Sequence, residues 1–174
     1  MKILYICTHN RCRSILSEAI TNQFSLGKEG KVGNVGNVGN VGNVGKIVAR
    51  SAGSQPAGEV HPLSIKYLQE MGVSIDGLRS QSWDDFETFT PDLVVTVCDS
   101  AANEVCPVWF GKSLKVHWGL TDPSKLQGSE TQIADAFKAT IEQIRKRVEQ
   151  LSNINVDIKD KAAFKTALTN LGAT

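Results

Sequence analysis

Asp92–Val97 reads DLVVTV, an unbroken and largely β-branched apolar run with no polar face. A strand of that kind must be buried on both sides, and a sheet covered on both faces is usually parallel with helices packed against it. The rest of the chain is consistent with this. Lys2–Ile6 (KILYI) predicts a short buried strand, Lys46–Arg50 (KIVAR) a second, and Leu114–His117 a weaker fourth. Ser14–Phe24 carries Ile15, Leu16, Ala19, Ile20 and Phe24 at helical spacing. A further helix starts near Pro62, places Leu63, Tyr67, Leu68 and Met71 on one face, and closes at Gly72. Glu130–Leu151 sets Ile133, Phe137, Ile141, Ile144, Val148 and Leu151 at spacings of three and four, and its Lys138, Arg145, Lys146 and Arg147 read as a solvent face. Alternating strands and helices predict an α/β fold. We expect one three-layer α/β/α domain around a central four-stranded parallel sheet, with ligands beyond the carboxyl ends of the strands.

At 174 residues the chain has room for one such domain, expected over 1–151 with a C-terminal extension at 152–174. A short helix is expected over Ala162–Leu171. One segment departs from the plan. Val32–Lys46 repeats Val-Gly-Asn four times and ends Val-Gly-Lys, which reads as an expanded surface loop or as an edge segment that could pair two chains into a dimer. With Lys+Arg 19 against Asp+Glu 18, no broad field points to nucleic acid or an anionic membrane, so any anion site is local. The first apolar run is too short for an export signal, no stretch reaches membrane-span length, and a cytoplasmic location is expected. Cys7, Cys12, Cys98 and Cys106 should then be reduced thiols.

Between the first strand and first helix stands Cys7-Thr8-His9-Asn10-Arg11-Cys12-Arg13-Ser14. Five residues between Cys7 and Arg13 let the backbone curl so that successive N–H groups point inward, and the free amides of the first helical turn complete a cup for a tetrahedral oxyanion. Thr8, His9, Asn10, Arg11, Cys12, Arg13 and Ser14 form that cup, with Arg13 able to fork two anion oxygens. Those donors should lower the Cys7 pKa from about 8.5 until the thiolate dominates at neutral pH, making Cys7 a nucleophile. Ser14 is placed to hydrogen-bond that sulfur. No Cys-x-x-Cys occurs and His9, His61 and His117 lack ligand spacing, so no metal site is expected.

On CTHNRCRS, the SAG at Ser51–Gly53, DLVVTVC and HWGLTDP at His117–Pro123, the sequence resembles the low-molecular-weight protein tyrosine phosphatase family, and more closely its arsenate reductase branch. The resemblance runs from Met1 to about Leu151 apart from the triplet insert. It implies that Asp122, just before Pro123, is the general acid, and that Asn10 and Ser51 tie the loop together.

Phosphate and arsenate share a tetrahedral shape, so the remaining cysteines must separate the activities. A phosphatase needs only Cys7. A reductase must supply two electrons, and the sequence of thiols does so if arsenate adds to Cys7, Cys98 attacks the Cys7 sulfur, and Cys106 then attacks Cys98. Family members with such a pair are restored by an external thiol reductant, thioredoxin or a glutathione/glutaredoxin system; no bound cofactor is expected. If the intervening segment is helical, a rise of ~1.5 Å per residue sets the two cysteines roughly 12 Å apart. A disulfide needs Cα atoms roughly 4.4–6.8 Å apart, so the segment would have to rearrange. Arsenate reductase is the leading expectation and a low-molecular-weight phosphatase the alternative, although Ser124 and Lys125 stand where phosphotyrosine enzymes of the family carry tyrosines. A phosphocarrier would need neither Arg13 nor Asp122.

Overall fold

The structure, a computed structural model, describes residues 1–27, 47–105, 107–157 and 159–173. The repeat at 32–46, with the dimer contact expected of it, lies outside these residues, as does Cys106.

Four strands form one parallel sheet: β1 (Lys2–Ile6), β2 (Val48–Ala52), β3 (Leu93–Thr96) and β4 (Leu114–His117), in the order β2-β1-β3-β4. β1 is buried at Ile3, Leu4, Tyr5 and Ile6 in succession, so both faces of the sheet are covered. The fold is the α/β architecture expected from the two apolar runs. β2 is the element whose sequence pattern misled. It reaches Ala52, two residues past the expected end, because Ser51 and Ala52 pair with Tyr5 and Ile6 although the apolar pattern fades there.

The helices are α1 (Arg13–Gly27), α2 (Pro62–Glu70), a single turn α3 (Asp99–Ala102), α4 (Glu130–Ser152) and α5 (Lys161–Gly172). α2 starts at Pro62, where a missing N–H costs nothing, and His61 caps it by accepting from Leu63 N–H. α4 starts at a reciprocal cap between Ser129 and Gln132 and buries the apolar stripe of Phe137, Ile141, Ile144, Val148 and Leu151. α5 adds Phe164 and Leu168 to the same core.

Two features of this arrangement position the site. First, the chain passes from β1 outward to β2 and returns across β1 to β3, so β1 and β3 flank the point where the strand order reverses. In open sheets of this kind ligands bind at that place, beyond the carboxyl ends of the strands. Second, Arg147 does not face solvent as its position in the sequence implied. It is 3% exposed and donates to Trp118 O at 3.1 Å, Gly119 O at 3.2 Å and Gly172 O at 3.1 Å. The single-residue charge pattern of α4 gave no hint of this, because the acceptors are carbonyls of the β4 exit loop and of the end of α5. Trp118 is likewise in the core, its Nε1 donating to Leu168 O at 2.8 Å. These bonds fasten the segment leading to Asp122 onto α4 and α5.

Arg147→Met should lower the unfolding free energy by about 3 kcal/mol in urea titrations, because three buried carbonyls lose a charged donor. A loss below about 0.5 kcal/mol, the range of ordinary surface changes, would show that water replaces the guanidinium.

Candidate active site

The β1–α1 loop uses its polar groups asymmetrically. Its carbonyls are taken from outside: Thr8 O accepts from Gln55 N–H at 2.9 Å, His9 O from Ala57 N–H at 2.9 Å, and Arg11 O from His61 N–H at 2.8 Å. The N–H groups of Thr8, His9, Asn10, Arg11 and Cys12 find no acceptor among the described residues. Carbonyls turned out and amides turned in are the arrangement of an anion nest. Gly53 explains the close fit around it. A Cβ there would stand 2.8 Å from Cys7 O and 3.0 Å from Asn10 N, and nearer still to Thr8 O, so a side chain would push into the loop backbone.

Asn10 holds the curl. Its φ of 43° is left-handed, a region asparagine tolerates better than most residues. Its Nδ2 donates to Ser14 Oγ and to Ser51 Oγ, both at 2.9 Å, and its Oδ1 accepts from Gln81 N–H at 2.8 Å. Ser51 in turn donates to Glu18 Oε2 at 2.6 Å. With the Ser14 oxygen already receiving Asn10, its hydrogen is free for Cys7 Sγ, 2.9 Å away. Cys7 is buried at the floor of the loop.

The other candidates converge on the same end of the sheet. Arg13 Nη2 pairs with Asp122 Oδ2 at 2.9 Å, and its Nη1 donates to Leu120 O at 3.2 Å. Arg13 Nε is buried with no partner among the described residues. Asp122 Oδ1 accepts from Ser124 N–H at 3.1 Å and Ser124 Oγ at 2.6 Å. Cys98 follows β3 and lies 3.8 Å from Thr8 Oγ1. Cys12 is buried behind the loop, His9 faces outward, and Arg11 pairs with Glu59 at 3.5 Å on the surface.

The electrostatics correct one expectation. Burial pushes the Cys7 thiol up, not down; Ser14 pulls it back, Cys98 adds to the rise, and Arg13 lowers it least. The physical reason is that burial takes the sulfur out of water, and this outweighs the Ser14 hydrogen bonds and the Arg13 charge. Burial likewise raises Cys12 to about 12 and Tyr5 to about 12.

Two side chains had not been singled out. Glu18 is 4% exposed, and burial pushes its carboxyl up against the Ser51 hydrogen bond and the Arg50 charge. Its signal was present in the sequence, as an acid four residues after Ser14 on the apolar face of α1. Glu104 accepts from Thr8 Oγ1 at 3.0 Å across 96 residues, a pairing that no local pattern announces.

The model of the low molecular weight phosphotyrosine protein phosphatases matches residues 2–163. The chain belongs to this family. Among its relatives, an arsenate reductase of Halalkalibacterium halodurans is 32% identical over 147 residues, covering 84% of this chain and 91% of that protein. A glutaredoxin arsenate reductase of Synechocystis is 27% identical, covering 86% of this chain and 95% of its own length. A solved arsenate reductase in the phosphate-binding state superposes with a TM-score of 0.63 at 25% identity, over 87% of this chain and 96% of that one. Among the described residues, no helix is long and apolar enough to cross a membrane.

In oxyanion-free buffer, Cys7 alkylation should be slow at pH 7 and rise only above the ordinary thiol range. Ser14→Ala should move that profile further up, since it removes the hydrogen bond that favours the thiolate; a downward move would contradict the assignment. The raised thiols and Tyr5 are held neutral by the fold, so their stabilisation is complete at low pH and is lost as pH climbs from about 9 towards about 12. Urea midpoints measured across that window should fall.

Proposed function

We propose that the protein is an arsenate reductase in which Cys7, Cys98 and Cys106 act in turn. The observation that carries this reading is the set of five acceptor-free amides around Cys7, with a second buried cysteine, Cys98, one hydroxyl away. Arsenate fits the cup through those amides and through Arg13, whose Nε has no other partner among the described residues. The incoming dianion takes the Cys7 proton, which suits a thiol that burial holds neutral. Cys7 then displaces one arsenate oxygen in line; Asp122, released from Arg13 by the bound anion and having taken up a proton from solvent, passes that proton to the oxygen, which leaves as water.

The Cys98 thiolate attacks Cys7 Sγ, a Cys7–Cys98 disulfide forms, and the sulfur–arsenic bond breaks with its electron pair left on arsenic as arsenite. Cys106 attacks Cys98 and frees Cys7. The two electrons thus come from the Cys98–Cys106 pair, and an external thiol reductant of the thioredoxin or glutaredoxin kind restores it. Asn10, Ser51 and Glu18 support the loop without touching the reacting atoms. The names of the relatives agree with this activity, and the family match keeps phosphate ester hydrolysis through the same Cys7 as the competing outcome.

Cys98→Ser and Cys106→Ser should each lose catalytic arsenate reduction by at least about a hundredfold while retaining hydrolysis of an aryl phosphate, since hydrolysis requires only the Cys7 step. If both variants reduce arsenate like the parent, the relay is overturned; if the parent reduces none and hydrolyses aryl phosphate, the protein is a phosphatase.

A further inference from the structure

Thr8 joins two groups that the proposed mechanism leaves unconnected. Its hydroxyl has one hydrogen, and that hydrogen is directed to Glu104 Oε1 at 3.0 Å. The Cys98 sulfur lies 3.8 Å from the same hydroxyl oxygen, so in that contact Cys98 S–H must be the donor. The geometry is a directed chain from Cys98 through Thr8 to Glu104. At its far end, Glu104 Oε2 is out of water and receives no hydrogen bond among the described residues. Among the described residues the carboxylate is therefore engaged by Thr8 alone. At its near end, Ala101 N–H donates to Cys98 Sγ at 3.4 Å.

We infer that Glu104 is a positioning residue for the second chemical step, accepting through the Thr8 hydroxyl the proton that Cys98 must lose before it attacks Cys7. This rests on the arsenate reductase reading. The transfer balances without a further reactant: Cys98 S–H passes its proton to the Thr8 oxygen as Thr8 O–H passes its own to Glu104, leaving a thiolate, an unchanged hydroxyl and a neutral carboxyl. The thiolate then forms the sulfur–sulfur bond as the sulfur–arsenic bond breaks. Thr8 cannot drift out of line, because its carbonyl is held by Gln55 N–H at 2.9 Å and its backbone abuts Gly53.

The other charged and titratable groups around Cys98 are differently engaged. Cys7 hydrogen-bonds Ser14, Arg13 pairs with Asp122, and Asp99 pairs with His117 Nε2 at 3.1 Å. No other acidic side chain among the described residues hydrogen-bonds Thr8. Glu104 lies just beyond the single turn α3, between Cys98 and Cys106 in the sequence.

The test is a single turnover of the fully reduced full-length chain with arsenate, reading arsenite release against pH. Glu104→Gln keeps an oxygen that can accept from Thr8 but cannot take a proton. Its rate at pH 7 should fall about tenfold or more, and the deficit should close as pH rises and solvent removes the Cys98 proton instead. Thr8→Val breaks the chain at its middle, and the Thr8→Val/Glu104→Gln double variant should be no slower than the slower single variant. A Glu104→Gln rate equal to the parent at every pH, a deficit that does not change with pH, or losses that multiply in the double variant would each overturn the role of Glu104. Cys98→Ser separates the two readings. If it releases arsenite like the parent, the relay itself fails; if it is inactive while Glu104→Gln is unimpaired, only the proton path fails.

Discussion

A loop whose carbonyls are taken by neighbouring segments has no regular backbone ladder of its own, so its shape depends on side chains and on what surrounds it. Here Asn10 supplies most of the constraint. Its left-handed backbone sets the curl, and its amide group ties Ser14, Ser51 and the Gln81 backbone into one buried network. Networks of this kind are costly when incomplete and rigid when every member is satisfied. The hydroxyl hydrogens of Ser14 and Ser51 acquire definite directions only because Asn10 occupies their oxygens, and one of those directions is towards the nucleophile. The orientation of the Cys7–Ser14 contact thus follows from a residue that touches neither sulfur nor substrate.

The sheet contributes the convergence. Strand order places the exits of β1 and β3 side by side, and the β4 exit brings Asp122 back over α1 to meet Arg13. That last segment is short of regular structure and relies on Arg147 and the end of α5. A Cβ built on Gly172 would stand 2.8 Å from Trp118 Cδ1 and nearer still to His117 O, so a side chain would not fit there. The end of the chain therefore helps position the acid far from it in sequence.

The architecture was largely legible from the sequence because buried parallel strands advertise themselves: KILYI and DLVVTV have no alternative use in a water-soluble core. The loop was legible because strand, cysteine, arginine and helix fall in one contiguous stretch. What the sequence hid was the contact information. Arg147 looked like a solvent charge since its three acceptors are distant backbone carbonyls, and β2 seemed to end early since Ser51 and Ala52 pair without apolar bulk. The direction of the Cys7 pKa was hidden for a related reason: the burial that opposes the donors of the loop exists only in three dimensions. Glu104 is the extreme case, a contact across nearly the whole β1-to-β3 crossover with no local sign.

The ion pair of Arg13 with Asp122 also sets a threshold on what enters the cup. The guanidinium already has an internal carboxylate as its competitor, and both side chains are mostly shielded from solvent. A doubly charged tetrahedral ion that also collected the loop amides would gain more by displacing that partner than a single weakly held charge such as chloride would. Discrimination among small anions would in this way begin at an internal ion pair, before any chemistry.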